Sequence, residues 1–370
     1  MEVEPLTASV PEKAKVSTFL TFFLVHKMQW GIGVLGFQRI IAKYAGYDAW
    51  ISVLLAGLVI HPLIWMLYKM TSVAGGDIVS IHEYTLGKKI GKWASLPFVI
   101  YFSLLSITTL RTFIEIIQVW MFQDISTFGF ALPFMILAIY IVSGGFRTVA
   151  GIAFFGVILP FYMIFVFFYT LPYANFNQLL PILEHSFKDL ALSSFNMSLT
   201  FIGWELLLIY YPFIKNPEKS QKFAHWGVLF TTLGYTFISL ISFIYYSEGQ
   251  LERTVWATLS IFKIVELPFV ERFEFVGLAS WNLIILPNVC LGLWGASRVL
   301  KRAFRIKQKV GIYIISLLIL IACSLISGRA DIDMLNSITG RVGFFVNFGY
   351  IPLLFLATLI SRKVKENAKQ

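Results

Sequence analysis

Ten stretches of this chain are each apolar over a length that crosses a hydrocarbon layer. They fall at about 16–43, 48–70, 94–122, 130–146, 149–171, 192–214, 223–246, 274–299, 310–327 and 342–361. A bilayer core needs roughly 20 residues of helix to span it. Chain at that depth must satisfy its backbone amides and carbonyls internally. The segments therefore predict an all-α polytopic membrane protein of ten transmembrane helices. Composition leaves no soluble alternative, because 58% of the 370 residues are hydrophobic, 14% are charged and the mean hydropathy is +0.76. A polar tail at 1–15, one membrane domain at 16–361 and a tail at 362–370 are expected. The first apolar run carries no convincing cleavage site and is read as an uncleaved helix.

The basic residues set the orientation. With the N-terminus inside, twenty of the thirty lysines and arginines fall in cytoplasmic segments and seven in outer ones, Arg329 and Arg341 among the seven. This places both termini in the cytoplasm. The net charge of +10 is then a topology signal and not a nucleic-acid surface. Cys290 and Cys323 lie within apolar spans and read as buried thiols. No nucleotide, zinc-protease or dithiol motif occurs, so no enzyme activity, metal or cofactor is expected.

Residues 26–37, HKMQWGIGVLGF, place Gly31, Gly33 and Gly36 in the middle of the first span. Each glycine costs roughly 1 kcal/mol against alanine inside a helix. The cluster predicts an unwound stretch lining a cavity, with close helix packing through small residues as the alternative. The sixth span clusters Ser198, Thr200, Gly203 and Glu205 at its centre, which predicts a second break around Phe201, Ile202 and Gly203. Two five-helix units that each open with a broken helix, at about 16–171 and 192–361, form the signature of a 5+5 inverted repeat. Broken helices present free amides to an anion and free carbonyls to a cation, which suits a zwitterionic amino acid.

Several motifs carry a more specific likeness: MQWGIGVLGFQR at 28–39, DAWISVLLAG at 48–57, LGKKIGKW at 86–93 and SGG at 143–145. Others are LLPIL at 179–183, FIGWE at 201–205 and LSIFKIVELPFVERFE at 259–274. With these the chain resembles the B subunits of spore germinant receptors, a branch of the amino acid–polyamine–organocation superfamily with a LeuT-like fold. Where relatives often carry a proline after the first break, this chain has Phe37 and Gln38. The resemblance implies a receptor subunit of the spore inner membrane that binds a small germinant and acts with an A subunit and a lipoprotein C subunit. A secondary amino-acid permease, coupled to protons or sodium, is the alternative.

The remaining intramembrane polar residues complete the candidate site. Gly31, Gly33, Phe201, Ile202 and Gly203 are assigned to ligand binding at the breaks. Asn288, beside Pro287, is expected at an interruption of span eight that borders the pocket. Tyr101 and Leu105 share a face of span three that closes the pocket in the family's arrangement. Arg111 and Glu115 are one turn apart and are expected to pair, as a structural bridge or a coupling element. Lys27 either snorkels inward or fixes a cation beside the pocket. Glu205 is expected to bond backbone freed by both breaks and so tie them together. His26 and His61 are read as packing residues. Residues 76–86 suggest a short interfacial helix, and residues 250–275 a cap over the bundle.

Overall fold

The computed structural model describes residues 10–368 apart from residue 269. Glu2, Glu4, Phe269, Lys369 and the side chain of Ser198 lie outside the described residues. Among those described the regular structure is helical throughout, with no strand. In chain order the helices are α1 (Leu20–Gln29), α2 (Phe37–Ala45), α3 (Ala49–Ala74), α4 (Ile78–Ala94), α5 (Leu96–Trp120), α6 (Thr127–Ser143) and α7 (Phe146–Ile158). They continue as α8 (Phe187–Asn196), α9 (Ser198–Phe201), α10 (Leu207–Tyr210), α11 (Gln221–Tyr245), α12 (Glu248–Arg253) and α13 (Ala257–Ile261). The last four are α14 (Phe273–Phe304), α15 (Gln308–Leu325), α16 (Arg329–Phe344) and α17 (Ile351–Asn367).

Among the described residues seven helical stretches are long and apolar enough to cross a membrane, and a pair bent by 56°, Phe187–Asn196 with Leu199–Phe213, makes eight. Two of the sequence segments fall outside this count. Helix α6 is apolar but only 17 residues long, and the first segment is divided into α1 and α2, of 10 and 9 residues. Helix α14 lies along α5, α11 packs against α3 and α1, and α16 packs against α5 and α9. Large apolar side chains such as Phe165, Leu317, Leu325 and Leu356 stay exposed on the outside. Lipid is the solvent that makes such a surface stable.

Four elements differ from the sequence expectation. Helix α14 runs unbroken through Pro287, so the expected interruption of span eight is absent. A proline removes one donor and crowds the preceding turn. Here Gly156 of α7 gives that turn room, since a Cβ on it would stand 2.6 Å from the Leu283 carbonyl oxygen and 2.7 Å from Pro287 Cγ. The second half of span five, Leu159–Tyr173, is wound as 3-10 helix from just before Pro160. The interfacial helix α4 extends to Ala94, kinked at Gly87 with φ +81°. Residues 329–341, read as an outer loop, belong to α16, which joins α17 through a π-helical segment, Phe345–Tyr350.

Asp77 anchors α4. Its Oδ1 accepts from the Ser80 amide at 3.1 Å as an N-cap, and its Oδ2 accepts from Arg302 Nε at 2.8 Å. Asp77 is buried and Arg302 largely so. Asp77→Ala would uncap α4 and leave the guanidinium without its partner, an expected loss of roughly 2–4 kcal/mol. Thermal unfolding of the purified protein in detergent would register this as a lowered midpoint.

Candidate functional site

The first span stops being helical at Gly31, where φ −144° and ψ −133° leave the α region. One turn of 3-10 helix, Ile32–Leu35, bridges to α2. The freed carbonyl of Trp30 accepts from Lys27 Nζ at 2.8 Å, and Asn288 Nδ2 stands 3.5 Å from the same oxygen. Lys27 is fully buried, so it does not snorkel to the interface. Its amino group closes the C-terminal end of α1 by donating to that carbonyl. The cap holds the far side of the break. Thr258 donates to the Val34 carbonyl at 2.7 Å, and Gln38 Nε2 donates to Thr258 at 2.6 Å. Gly36 lets the cap approach, since a Cβ there would meet the Val255 carbonyl oxygen at 2.4 Å.

The second break centres on Gly203, whose φ of +104° strongly favours glycine. The buried Glu205 carboxylate turns back onto it, accepting from the Gly203 amide at 2.8 Å through Oε2, while Oε1 accepts from the Tyr101 hydroxyl. Glu205 thus ties the second break to α5, and the expected tie to the first break is supplied by another residue. Gln29 Nε2 donates to the Phe201 carbonyl at 3.2 Å, and the Tyr235 hydroxyl donates to the Gln29 carbonyl at 2.8 Å. Met28 fills the space above Gly203.

Between the breaks lies a cavity of about 40 Å³, lined by Gly31, Gly33, Leu105, Thr200, Ile202 and Asn288 among others. Five of the eight predicted ligand residues therefore converge on it. Tyr101, Phe201 and Gly203 do not line it. Tyr101 is spent on Glu205, and Phe201 packs its ring 5.4 Å from that of Tyr235. Gln29, Thr108, Thr200 and Thr339 also line the cavity. Sequence reasoning did not assign them, although a glutamine two residues before the glycine cluster was a usable signal. A larger chamber of about 320 Å³ lies on the cap side and shares Ile32, Gly33, Leu199 and Thr200 with the inner cavity.

Arg111 and Glu115 do not pair. Arg111 Nε donates at 2.8 Å to the carbonyl of Ile326, just beyond α15. Glu115 instead accepts from Arg329 Nη1 at 2.9 Å, and Arg329 also bonds Asp333 at 2.9 Å. The arginine lies over the Trp256 ring of the cap, 5.4 Å from its centroid. This clasp joins α5, α16 and the cap at the mouth of the chamber. His26 bonds Thr231 at 2.8 Å, and His61 meets His225 with Nδ1 atoms 2.8 Å apart. Among the described residues no group of three or more potential metal-ligating side chains forms.

Against known proteins, residues 15–332 match the family model described as spore germination protein. The chain is 44% identical to spore germination protein GerQB of Bacillus cereus over 356 residues, covering 96% of this chain and 99% of the relative. The chain belongs to the spore germination protein family. This family member is also 24% identical to spore germination protein A2 of Bacillus subtilis (strain 168), over 95% of this chain and 97% of that one. Its fold is that of LeuT-like transporters. It superposes on MhsT in complex with L-phenylalanine with a TM-score of 0.64 at 16% identity, covering 93% of this chain and 88% of that one. A Na+-coupled sialic acid symporter matches with a TM-score of 0.65 at 14% identity, covering 96% and 81%. At such identities the likeness speaks for the fold alone.

Proposed function

We propose that this chain is the polytopic subunit of a nutrient germinant receptor of the spore inner membrane, binding a small germinant between its two broken helices. The observation that carries this reading is family membership over nearly the whole chain, joined to a polar cavity where both breaks converge. Gly31, Gly33, Leu105, Ile202 and Asn288 would meet the ligand there, while Tyr101, Phe201 and Gly203 shape the wall behind it. An amino acid fits as ligand, because an unwound backbone at mid-membrane offers amides to a carboxylate and carbonyls to an ammonium.

On this reading the membrane domain, 16–361, crosses the bilayer ten times as two repeats, 16–171 and 192–361, with both tails in the cytoplasm. An A-type subunit and a lipoprotein C subunit complete the receptor. Lys27 and Glu205 hold the two breaks in shape, and the contacts of Arg111 and Glu115 transmit their movement to α15 and α16. The role is recognition and not catalysis.

Reconstitution in liposomes tests the reading. The protein should bind an amino acid from a panel of radiolabelled L-amino acids, with little saturable uptake under a proton or sodium gradient. Gradient-driven accumulation at turnover typical of permeases would instead make this chain a secondary amino-acid transporter.

A further inference from the structure

We infer that the ligand's primary resting place is the cap-side chamber, where Arg39 and Arg341 form a carboxylate-binding site. The inference deepens the nutrient-binding reading and rests on it for the class of ligand. Size is the first argument. The inner cavity, about 40 Å³, is the tighter of the two spaces between the breaks and the cap. The chamber, about 320 Å³, is eight times larger and opens onto the same glycine break.

Charge is the second argument. Three arginines line the chamber, and Arg329 is already neutralised by Glu115 and Asp333. Arg39 and Arg341 make no ion pair or side-chain hydrogen bond among the described residues, although Asp333 lines the same chamber. Arg341 lies two residues beyond Thr339, which lines the inner cavity, so the two are about 3 Å apart along α16. Arg341 is exposed and Arg39 half-buried, so both guanidinium groups are open to an incoming anion. Arg39 stands on α2 three residues beyond Gly36 and lines the same chamber. Guanidinium groups suit carboxylates because their parallel N–H donors match both oxygens.

The remaining lining divides by chemistry. Asn196, Asn336 and Ser337 can serve an ammonium or hydroxyl group, while Ile40, Leu199 and Trp256 offer apolar contact. A carboxylate held by the arginines thus places the rest of an amino acid against the break. Widening of the inner cavity would follow capture.

The test uses the full-length protein in nanodiscs, with thermal-shift titrations of L-amino acids, their amides, acetate and lactate. An amino acid that stabilises the wild type should lose at least tenfold in affinity with Arg39→Gln or Arg341→Gln, and binding should vanish with both. Arg341→Lys should retain part of it. The amide of the same amino acid should not bind, and added NaCl should weaken the wild type more than either single glutamine variant. Unliganded midpoints should be unchanged, since neither side chain has a partner to lose. Wild-type affinity in both glutamine variants would overturn the chamber and leave nutrient binding intact. Arginine-dependent binding of acetate or lactate without any amino acid would support the chamber and overturn the amino-acid reading. Arginine-dependent stabilisation only by phosphatidylglycerol in the disc would assign the arginines to lipid and overturn the inference. Binding of nothing in the panel would overturn both.

Discussion

Glu205→Leu is expected to lower stability and abolish ligand binding together, while Glu205→Gln keeps most of both. The carboxylate is fully buried and accepts from the Gly203 amide and the Tyr101 hydroxyl. Leucine has no acceptor, so both donors would be buried without partners, at about 1–3 kcal/mol each. The backbone at Gly203, with φ +104°, would also lose the group that holds it in that conformation. Binding falls with stability because the same break positions the Phe201 carbonyl that Gln29 bonds and the Ile202 wall of the cavity. Glutamine has nearly the same shape. Its oxygen accepts from Gly203 and its NH2 can donate to the tyrosine oxygen, which accepts as readily as it donates. Thermal unfolding and amino-acid titration of both variants give the check. A stable Glu205→Gln protein that binds nothing would make the charge itself the functional element and bring the permease reading forward.

Gly31→Val is expected to abolish binding, with Gly33→Val weaker in effect. A Cβ at Gly31 would stand 2.6 Å from Asn288 Nδ2, so the amide must leave its place beside the Trp30 carbonyl. A Cβ at Gly33 would meet Thr200 Cγ2 at 2.9 Å and its Oγ1 at 3.3 Å, and both residues line the inner cavity and the chamber. Thr200 can rotate without giving up a hydrogen bond found among the described residues, whereas Asn288 can move its amide only by leaving the Trp30 carbonyl. Valine adds two methyl groups beyond the Cβ in a space of about 40 Å³. Helix content should persist by circular dichroism while ligand-induced stabilisation disappears for Gly31→Val. Unchanged binding in both variants would remove the unwound helix from the site.

The membrane class, the position of eight of the ten spans and both breaks could be read from the sequence, because hydropathy and glycine clustering are properties of contiguous residues. Gly31, Gly33 and Gly203 announced unwound backbone for that reason, and the structure unwinds there. The cap was legible too, since an outer segment rich in apolar residues has to cover something. Pro287 misled because its effect on a helix depends on what stands across from it, and Gly156, 131 residues earlier, gives that turn its room.

Charge partners were decided by the tertiary structure. One turn of helix brings Arg111 and Glu115 to the same face, and that spacing allows a pair. Yet Arg111 is drawn to the Ile326 carbonyl beyond α15, and Glu115 to Arg329 at the start of α16. Both partners lie more than 200 residues along the chain, beyond the reach of any local periodicity. The same holds for Gln29 with Phe201 and for Arg39 with Arg341, which share a chamber only because the fold brings α2 and α16 to it. Sequence sets which segments must enter the membrane and where their backbone gives way. Packing chooses among the polar groups, because in a medium without water each must find its partner wherever the bundle brings one within reach.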